Sequence, residues 1–125
     1  MKHALLHAVL FPLFLIAPFA HAEEFRIEFD WPEDMAVCFA KQSPEIRLFN
    51  VPEGTKKLTV TMIDEDNPYR HGGGKMKYSG ESAIPAGTLK NWEGPCPPSP
   101  HTYTFIVKTK GGNKAKARYS QKYPK

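Results

Sequence analysis

The stretch that decides the fold is KLTVTMI, residues 57–63. Its apolar side chains, Leu58, Val60 and Met62, alternate with polar ones, so an extended chain here would bury one face and expose the other. This period of two residues is typical of a strand that lies half-buried on a core. The stretch therefore predicts a sheet, in which one face packs inward, as the basis of the fold.

The same alternation returns at both ends of the chain. Phe25, Ile27 and Phe29 alternate with charged residues, and Tyr103, Phe105 and Val107 alternate with threonines and lysines. Shorter candidate strands are Val37–Ala40, Glu45–Asn50, Ser82–Ile84 and Ala115–Ser120, the last of which follows a turn at Gly111-Gly112-Asn113. Prolines between these segments argue against long helices. We therefore predict an all-β fold, a small antiparallel β-sandwich with few or no helices after the leader.

The start of the chain has the order of a secretory signal peptide. Lys2 supplies a positive charge, a largely apolar stretch runs from Ala4 to Phe19, and Ala20-His21-Ala22 provides small residues for cleavage. A permanent membrane anchor is the alternative, but it needs roughly 20 apolar residues, and this stretch is shorter and contains two prolines. We expect a cleaved signal peptide at residues 1–22, one domain at residues 23–125, and a periplasmic or secreted protein.

Both cysteines, Cys38 and Cys96, follow the leader. An even number of cysteines in an oxidising compartment predicts one disulfide. In the chain-entropy model a crosslink over such a long loop stabilises the fold by roughly 4 kcal/mol. Two unpaired, buried thiols are the alternative.

The chain is mildly basic, with a formal net charge of +4. Seven of its 17 basic residues lie from Lys108 to Lys125, where they could make weak contact with phosphates or with an anionic membrane surface. The segment contains only two aromatic residues, Tyr119 and Tyr123, which do not form the run of aromatic side chains that a stacking platform for nucleic acid would require. We expect a solvated hairpin and tail, and no nucleic-acid partner.

Two irregular stretches between the predicted strands concentrate polar chemistry. The first, residues 64–74, has three carboxylates followed by Tyr69-Arg70-His71 and three glycines, and the second, residues 94–103, is rich in proline. We interpret Gly72–Gly74 as a flexible turn, because neither a helix nor the Lys-Ser/Thr pair of a phosphate-binding P-loop follows it.

Several segments in these stretches and beside them form an ordered series. They are Ser43-Pro44-Glu45-Ile46, Val51-Pro52-Glu53-Gly54-Thr55-Lys56, Asp64-Glu65-Asp66-Asn67-Pro68, Ile84-Pro85-Ala86-Gly87-Thr88, and Gly94-Pro95-Cys96-Pro97-Pro98 with Pro100-His101-x-Tyr103. The series resembles the phosphatidylethanolamine-binding protein family, in its small bacterial, Raf-kinase-inhibitor-like form. The resemblance covers roughly residues 43–107. It implies a β-sandwich with a small pocket at one end that binds a phosphate or a phospholipid headgroup.

The resemblance also implies which residues form the pocket. His101 and Tyr103 would donate hydrogen bonds to the anion, and a carboxylate can hold such a histidine charged and correctly turned. The His-Trp pair of the family, counted back from Ile84, is replaced here by Tyr78 and Ser79. Pro97 and Pro98 would stiffen the wall of the pocket. The implied ligand-binding residues are Asp64, Asp66, Tyr78, Pro97, His101 and Tyr103.

Each of these residues also has an ordinary explanation. His101 could cap a strand end, and Asp64 and Asp66 could satisfy the N–H groups of a turn. No serine lies in the context of a hydrolase nucleophile. A zinc site would need more histidines or free thiolates than the chain offers after the leader.

We therefore expect an exported module that binds a small anion or a phospholipid headgroup without catalysis, cofactor or metal. One alternative is an inhibitor or adaptor that contacts a protein partner through the glycine-rich segment Arg70–Lys75. An enzyme of unknown type is the other alternative.

Overall fold

The computed structural model describes residues 11–21, 23–33, 35 and 38–125. Within these residues the chain forms seven strands: β1 (Arg26–Phe29), β2 (Ile46–Phe49), β3 (Lys57–Asp64), β4 (Arg70–Lys77), β5 (Ala83–Ile84), β6 (His101–Lys110) and β7 (Lys116–Tyr123). This part of the chain contains no helix, and hence none long and apolar enough to cross a membrane. The predicted all-β fold is confirmed.

The strands form two antiparallel sheets. One has three strands in the order β1-β2-β5, and the other has four in the order β4-β3-β6-β7. β3 lies inside the larger sheet and pairs along its whole length with β6, from Lys57 opposite Lys110 to Asp64 opposite Tyr103. The alternating stretch with which the sequence analysis began is therefore a strand with a partner on each side.

The core lies between the two sheets, because the apolar positions of the alternating strands face each other there. Phe29 of β1 meets Phe105 of β6 edge to face, with ring centroids 4.7 Å apart. The larger side chains that are almost completely buried include Ile27, Phe29, Ile46, Leu58, Met62, Trp92, Tyr103 and Phe105. Packing of this kind makes hydrophobic burial the main stabilising contribution.

One predicted strand is not formed in the described residues. Val37 of the predicted strand Val37–Ala40 lies outside them, and Cys38 and Phe39 form a turn. The physical reason lies at Phe39, whose φ of 56° is left-handed and interrupts an extended chain. Cys38, immediately before it, is bonded to Cys96 with Cα atoms 4.6 Å apart, so the predicted disulfide is confirmed.

The prediction of a flexible turn at Gly72–Gly74 is wrong. These glycines lie inside β4, which pairs with β3 and also exchanges backbone hydrogen bonds between Gly73 and Asn91 on its other side. A Cβ on Gly72 would lie 1.7 Å from the carbonyl oxygen of Asn91, and one on Gly73 would lie 1.9 Å from that of Val60. Glycine is needed at positions 72 and 73 because neighbouring backbones approach β4 too closely there for side chains.

Part of the predicted leader lies within the described residues. Residues 11–21 have no regular secondary structure, and their large apolar side chains are exposed, as at Phe14. Residues 1–10 and Ala22, which belong to the predicted signal peptide and its cleavage site, lie outside the described residues.

Candidate functional site

Three strands of the larger sheet bring polar residues to one end of the sandwich. β3 ends at Asp64, directly opposite Tyr103 of β6, and β6 begins two residues earlier at His101. Residues two apart on a strand share a face, so His101 and Tyr103 point to the same side. β4 begins at this end with Arg70 and His71, because it runs antiparallel to β3.

All of these residues except Arg70 line a cavity of about 300 Å³, which we call the cleft. Its lining consists of Phe39, Asp64, Asn67, Tyr69, His71, Cys96, Pro97, Pro98, His101 and Tyr103. Four of the six residues that the sequence analysis assigned to ligand binding come together in it. Asp66 and Tyr78 do not line it.

Asp64 is the buried anchor of the cleft, with a side chain only 6% exposed. One carboxylate oxygen accepts hydrogen bonds from the backbone N–H groups of Asp66 (2.9 Å) and Asn67 (3.2 Å). The other lies 2.7 Å from Nδ1 of His101. Burial raises the pKa of Asp64, but the hydrogen bonds from His101 and the two N–H groups outweigh it, so the pKa lies below its ordinary value. Asp64 is therefore ionised at neutral pH.

Asp66 supports the site from outside the cleft. Its carboxylate accepts a hydrogen bond of 2.6 Å from the backbone N–H of Thr102, which fixes the start of β6 beside the acidic turn. The position of His101 thus depends on Asp64 through its ring and on Asp66 through its backbone.

Tyr103 forms part of the inner surface of the cleft and is 1% exposed. Burial, followed by the charges of Asp64 and Asp66, raises its pKa to about 12, so the hydroxyl remains protonated in any physiological medium. The ring lies near both imidazoles, with centroid distances of 5.3 Å to His71 and 6.3 Å to His101. Its hydroxyl has no hydrogen-bond partner among the described residues.

His71 was not predicted as a ligand-binding residue, yet it lines the cleft and is only 5% exposed. Its Nδ1 lies 2.8 Å from the backbone carbonyl oxygen of Glu93, which holds the ring in place. The signal that could have found it is hairpin length: an eight-residue strand from Arg70 to Lys77 would pair with Lys57–Asp64 and bring residue 71 close to Asp64.

Tyr78 lies at the opposite end of the sandwich, so its assignment to the cleft is corrected. It follows β4, whose last residue Lys77 pairs with Lys57 at the far end of β3. Seven residues of extended chain separate it from His71, which is roughly 23 Å. Tyr78 instead packs beside Leu58 and Met76. Within the cleft, the second imidazole beside that of His101 belongs to His71.

The wall and the rim of the cleft come from the two segments joined by the disulfide. Pro97 and Pro98 follow Cys96 and form the wall, while Phe39 follows Cys38 at the rim. Phe39 is 52% exposed and Tyr69, also at the rim, is 46% exposed. After residue 22, these two are the exposed large hydrophobic side chains of the described residues. The cleft thus combines a polar interior with an aromatic mouth.

The described residues contain no group of three or more His, Cys, Asp or Glu side chains arranged to hold a metal ion. Asp64 uses both of its oxygens within the protein, and Cys96 is in the disulfide. The histidines of the cleft are therefore the side chains with unused ring nitrogens there.

Comparison with known proteins supports the fold. The structure is similar to the crystal structure of E. coli YbcL, described as a new member of the mammalian PEBP family, with a TM-score of 0.56 and 20% sequence identity. The similarity covers 81% of this chain and 98% of YbcL. No family model matches the chain, and no curated protein matches it. The chain therefore has the PEBP-like β-sandwich that the sequence motifs implied, and at this identity the similarity concerns the fold alone.

Proposed function

We propose that this protein is an exported binding module whose cleft binds a small phosphate-like anion, either free or as a lipid headgroup. The observation that carries the proposal is the pairing of His101 with the buried Asp64 at 2.7 Å in a cleft that also contains His71 and Tyr103. A protonated imidazole donates from both ring nitrogens. With Nδ1 held by Asp64, a charged His101 would direct its second N–H toward a ligand.

The donors of the cleft match a phosphate group. When protonated, His71 and His101 would each offer one charged N–H, and the Tyr103 hydroxyl would offer a neutral donor. Hydrogen bonds to charged groups are about twice as strong as neutral ones. The carboxylate of Asp64 makes its own contacts within the protein, so its charge is partly compensated and does not face the anion directly.

The test removes the imidazole of His101. We expect His101→Ala to weaken phosphate or phosphorylethanolamine binding by about 1.5–3 kcal/mol, the range for a charge-assisted hydrogen bond. Binding of the unaltered protein should weaken as the pH rises through the range of about 5 to 8, in which histidines ordinarily lose their charge. Isothermal titration at several pH values measures both effects.

Lys114→Ala is the matched control, because it removes one positive charge from the exposed hairpin far along the sheet from the cleft. It should leave the affinity unchanged. If His101→Ala binds phosphate with the original affinity and pH dependence, the proposed function is wrong. If Lys114→Ala is the variant that loses affinity, the basic C-terminal segment is the anion site instead.

Export is the second part of the proposal, and it rests on the order of residues in the leader and on the disulfide. The bond between Cys38 and Cys96 is compatible with an oxidising location. The mass of the protein recovered from a periplasmic fraction should correspond to a chain that begins at Glu23. A mass that still includes residues 1–22 would contradict cleavage.

A protein partner remains a prediction with less support. The segment on which the inhibitor alternative was based, Arg70–Lys75, belongs to β4 and has backbone partners on both sides at Gly73. It therefore offers no mobile loop for insertion into a partner's site.

A further inference from the structure

The hydrogen-bond partners of the two cleft histidines determine which ring nitrogen each presents to a ligand. Nδ1 of His71 lies 2.8 Å from the backbone carbonyl oxygen of Glu93. A carbonyl oxygen only accepts, so Nδ1 of His71 must carry the hydrogen. Nδ1 of His101 lies 2.7 Å from the carboxylate of Asp64, which is ionised and also only accepts. Both rings therefore hold a hydrogen on Nδ1.

The consequence differs between the two charge states. In a neutral imidazole one nitrogen donates and the other accepts, so neutral His71 and His101 would both present Nε2 as an acceptor. The hydroxyl oxygen of Tyr103, whose ring centroid lies 5.3 Å from that of His71 and 6.3 Å from that of His101, is a third acceptor. The cleft that offers donors to an anion at low pH thus offers three acceptors when its histidines are neutral.

These acceptors are open to a ligand. Neither Nε2 atom has a hydrogen-bond partner among the described residues, and the same holds for the Tyr103 hydroxyl. In that part of the chain the indole N–H of Trp31 is the side-chain polar atom that is fully buried without a partner. The two Nε2 atoms are not among the fully buried atoms without a partner. Solvent therefore reaches them through the cleft.

The charges around the cleft favour a cation when the histidines are neutral. The groups that face His101 are Asp64, Asp66, Tyr103 and Tyr123. The titratable groups around His71 are Tyr69, Arg70, Tyr103, Glu93, Lys41 and Lys90. Lys90 is exposed to solvent. Lys41 is paired with Glu93 at 2.7 Å, and Arg70 is exposed on the outside of β4. The buried carboxylate of Asp64 therefore contributes the negative charge closest to the interior.

We propose that, with both histidines neutral, the cleft binds an organic ammonium group through Nε2 of His71, Nε2 of His101 and the hydroxyl oxygen of Tyr103. A primary ammonium has three donors, which matches these three acceptors. The aromatic rings of Phe39 and Tyr69 at the mouth add faces that attract a cation. A metal ion fits less well, because no third His, Cys, Asp or Glu joins the two imidazoles among the described residues.

This inference concerns the cleft of the proposed function and relies on that function only for the acidic state. If both proposals hold, the cleft reverses its charge preference with pH. It binds an anion when the imidazoles are charged and an ammonium when they are neutral. Histidines ordinarily change charge between about pH 5 and 8, so the two states can be compared in ordinary buffers.

The experiment titrates the mature protein with ethylammonium chloride and, separately, with sodium phosphate, at about pH 5.5 and about pH 8. Sodium chloride at equal ionic strength is the reference, and binding is followed by the NMR shifts of the imidazole carbon-bound protons. We expect saturable ethylammonium binding at the higher pH that weakens by roughly tenfold or more at the lower pH, since a charged imidazole both repels the ammonium and loses its acceptor. Phosphate should show the opposite dependence.

Two conservative variants each remove one acceptor, so the test does not rest on a single variant that could fail to fold. Tyr103→Phe removes one acceptor and leaves the ring, so it should weaken ethylammonium binding by roughly fivefold. His71→Gln removes the Nε2 acceptor of the second ring, so it should weaken ethylammonium binding at the higher pH and reduce the pH reversal, of which the part carried by His101 remains. Lys114→Ala should change neither ligand.

The outcomes distinguish the ammonium site from the proposed phosphate-binding function. Phosphate binding at low pH without ethylammonium binding at high pH would overturn the ammonium site and retain the proposed function. Ethylammonium binding that depends on His71 and Tyr103, without phosphate binding, would support the ammonium site and overturn the proposed function. Ethylammonium binding that is unchanged in both variants would place the amine elsewhere and overturn the inference.

Discussion

Asp64 connects the acidic turn to the cleft through three hydrogen bonds. Its two oxygens hold the N–H groups of Asp66 and Asn67 and the imidazole of His101. A buried carboxylate with these partners contributes to folding and to the orientation of the ring at the same time. Both roles depend on pH, since only ionised Asp64 accepts all three hydrogen bonds.

We predict that Asp64 makes the free energy of unfolding fall as the pH is lowered. Its pKa in the folded protein lies below the ordinary value of 3.8, so its contribution is complete above that value and is lost as the pH falls through the folded pKa. Asp64→Asn should lower the free energy of unfolding by about 1–3 kcal/mol at pH 7, and the variant should lose less on acidification. Urea denaturation from pH 7 to pH 2.5 measures both.

Asp30→Asn is the control for this prediction. Asp30 pairs with Arg47 at 3.0 Å, but its side chain is 62% exposed, and surface ion pairs contribute about 0–1 kcal/mol. Equal losses in the two variants at pH 7 would contradict the special role of Asp64.

At the scale of single elements, β4 is held in place by its neighbours on both sides. Its glycines contribute no side chain to the core, and its backbone is held between β3 and the segment around Asn91. This close contact positions His71 beside the cleft. The strand therefore links backbone packing to the chemistry of the site.

A pair of neighbouring glycines tests this packing. A Cβ on Gly73 would lie 1.9 Å from the Val60 oxygen, whereas one on Gly74 would first meet Leu89 at an ordinary 3.5 Å. Gly73→Ala should lower the free energy of unfolding by about 3 kcal/mol, at the upper end of the range for overpacking, and Gly74→Ala by less than about 1 kcal/mol. Chemical denaturation of both variants checks this, and similar losses would show that β3 and β4 are not so closely packed.

At the scale of the whole molecule, the disulfide joins distant parts of the chain. Cys38 and Cys96 are 58 residues apart, and the bond holds the turn that carries Phe39 against the wall at Pro97. Further contacts support the same junction, including the hydrogen bond of 2.8 Å from the N–H of Gly94 to the carbonyl oxygen of Ala40. The small β-sandwich thus has its disulfide crosslink at the end where the cleft opens.

We predict that loss of this bond destabilises the fold. A loop of 58 residues corresponds to roughly 4 kcal/mol in the chain-entropy model. Urea denaturation with and without dithiothreitol should show that difference in the free energy of unfolding. The double variant Cys38→Ser, Cys96→Ser should behave like the reduced protein, and dithiothreitol should not affect it. A reduced protein as stable as the oxidised one would contradict the prediction.

The sequence by itself determined the β-sandwich, the disulfide pairing and part of the cleft. Strands such as β3 and β6 carry the alternation of their buried face in their own residues, so the local pattern suffices to predict them. The motifs around Asp64, Pro97 and His101 are likewise contiguous segments of the sequence, so they can be recognised without the tertiary structure.

Only the tertiary structure decided the place of β4, of His71 and of Tyr78. A strand with three consecutive glycines has no side-chain period at its centre, so nothing local distinguishes it from a turn. It is extended because the backbones of β3 and of Asn91 lie against it, and these contacts come from parts of the chain distant in sequence. Once β4 is a strand, its direction places His71 in the cleft and Tyr78 at the far end of the sheet.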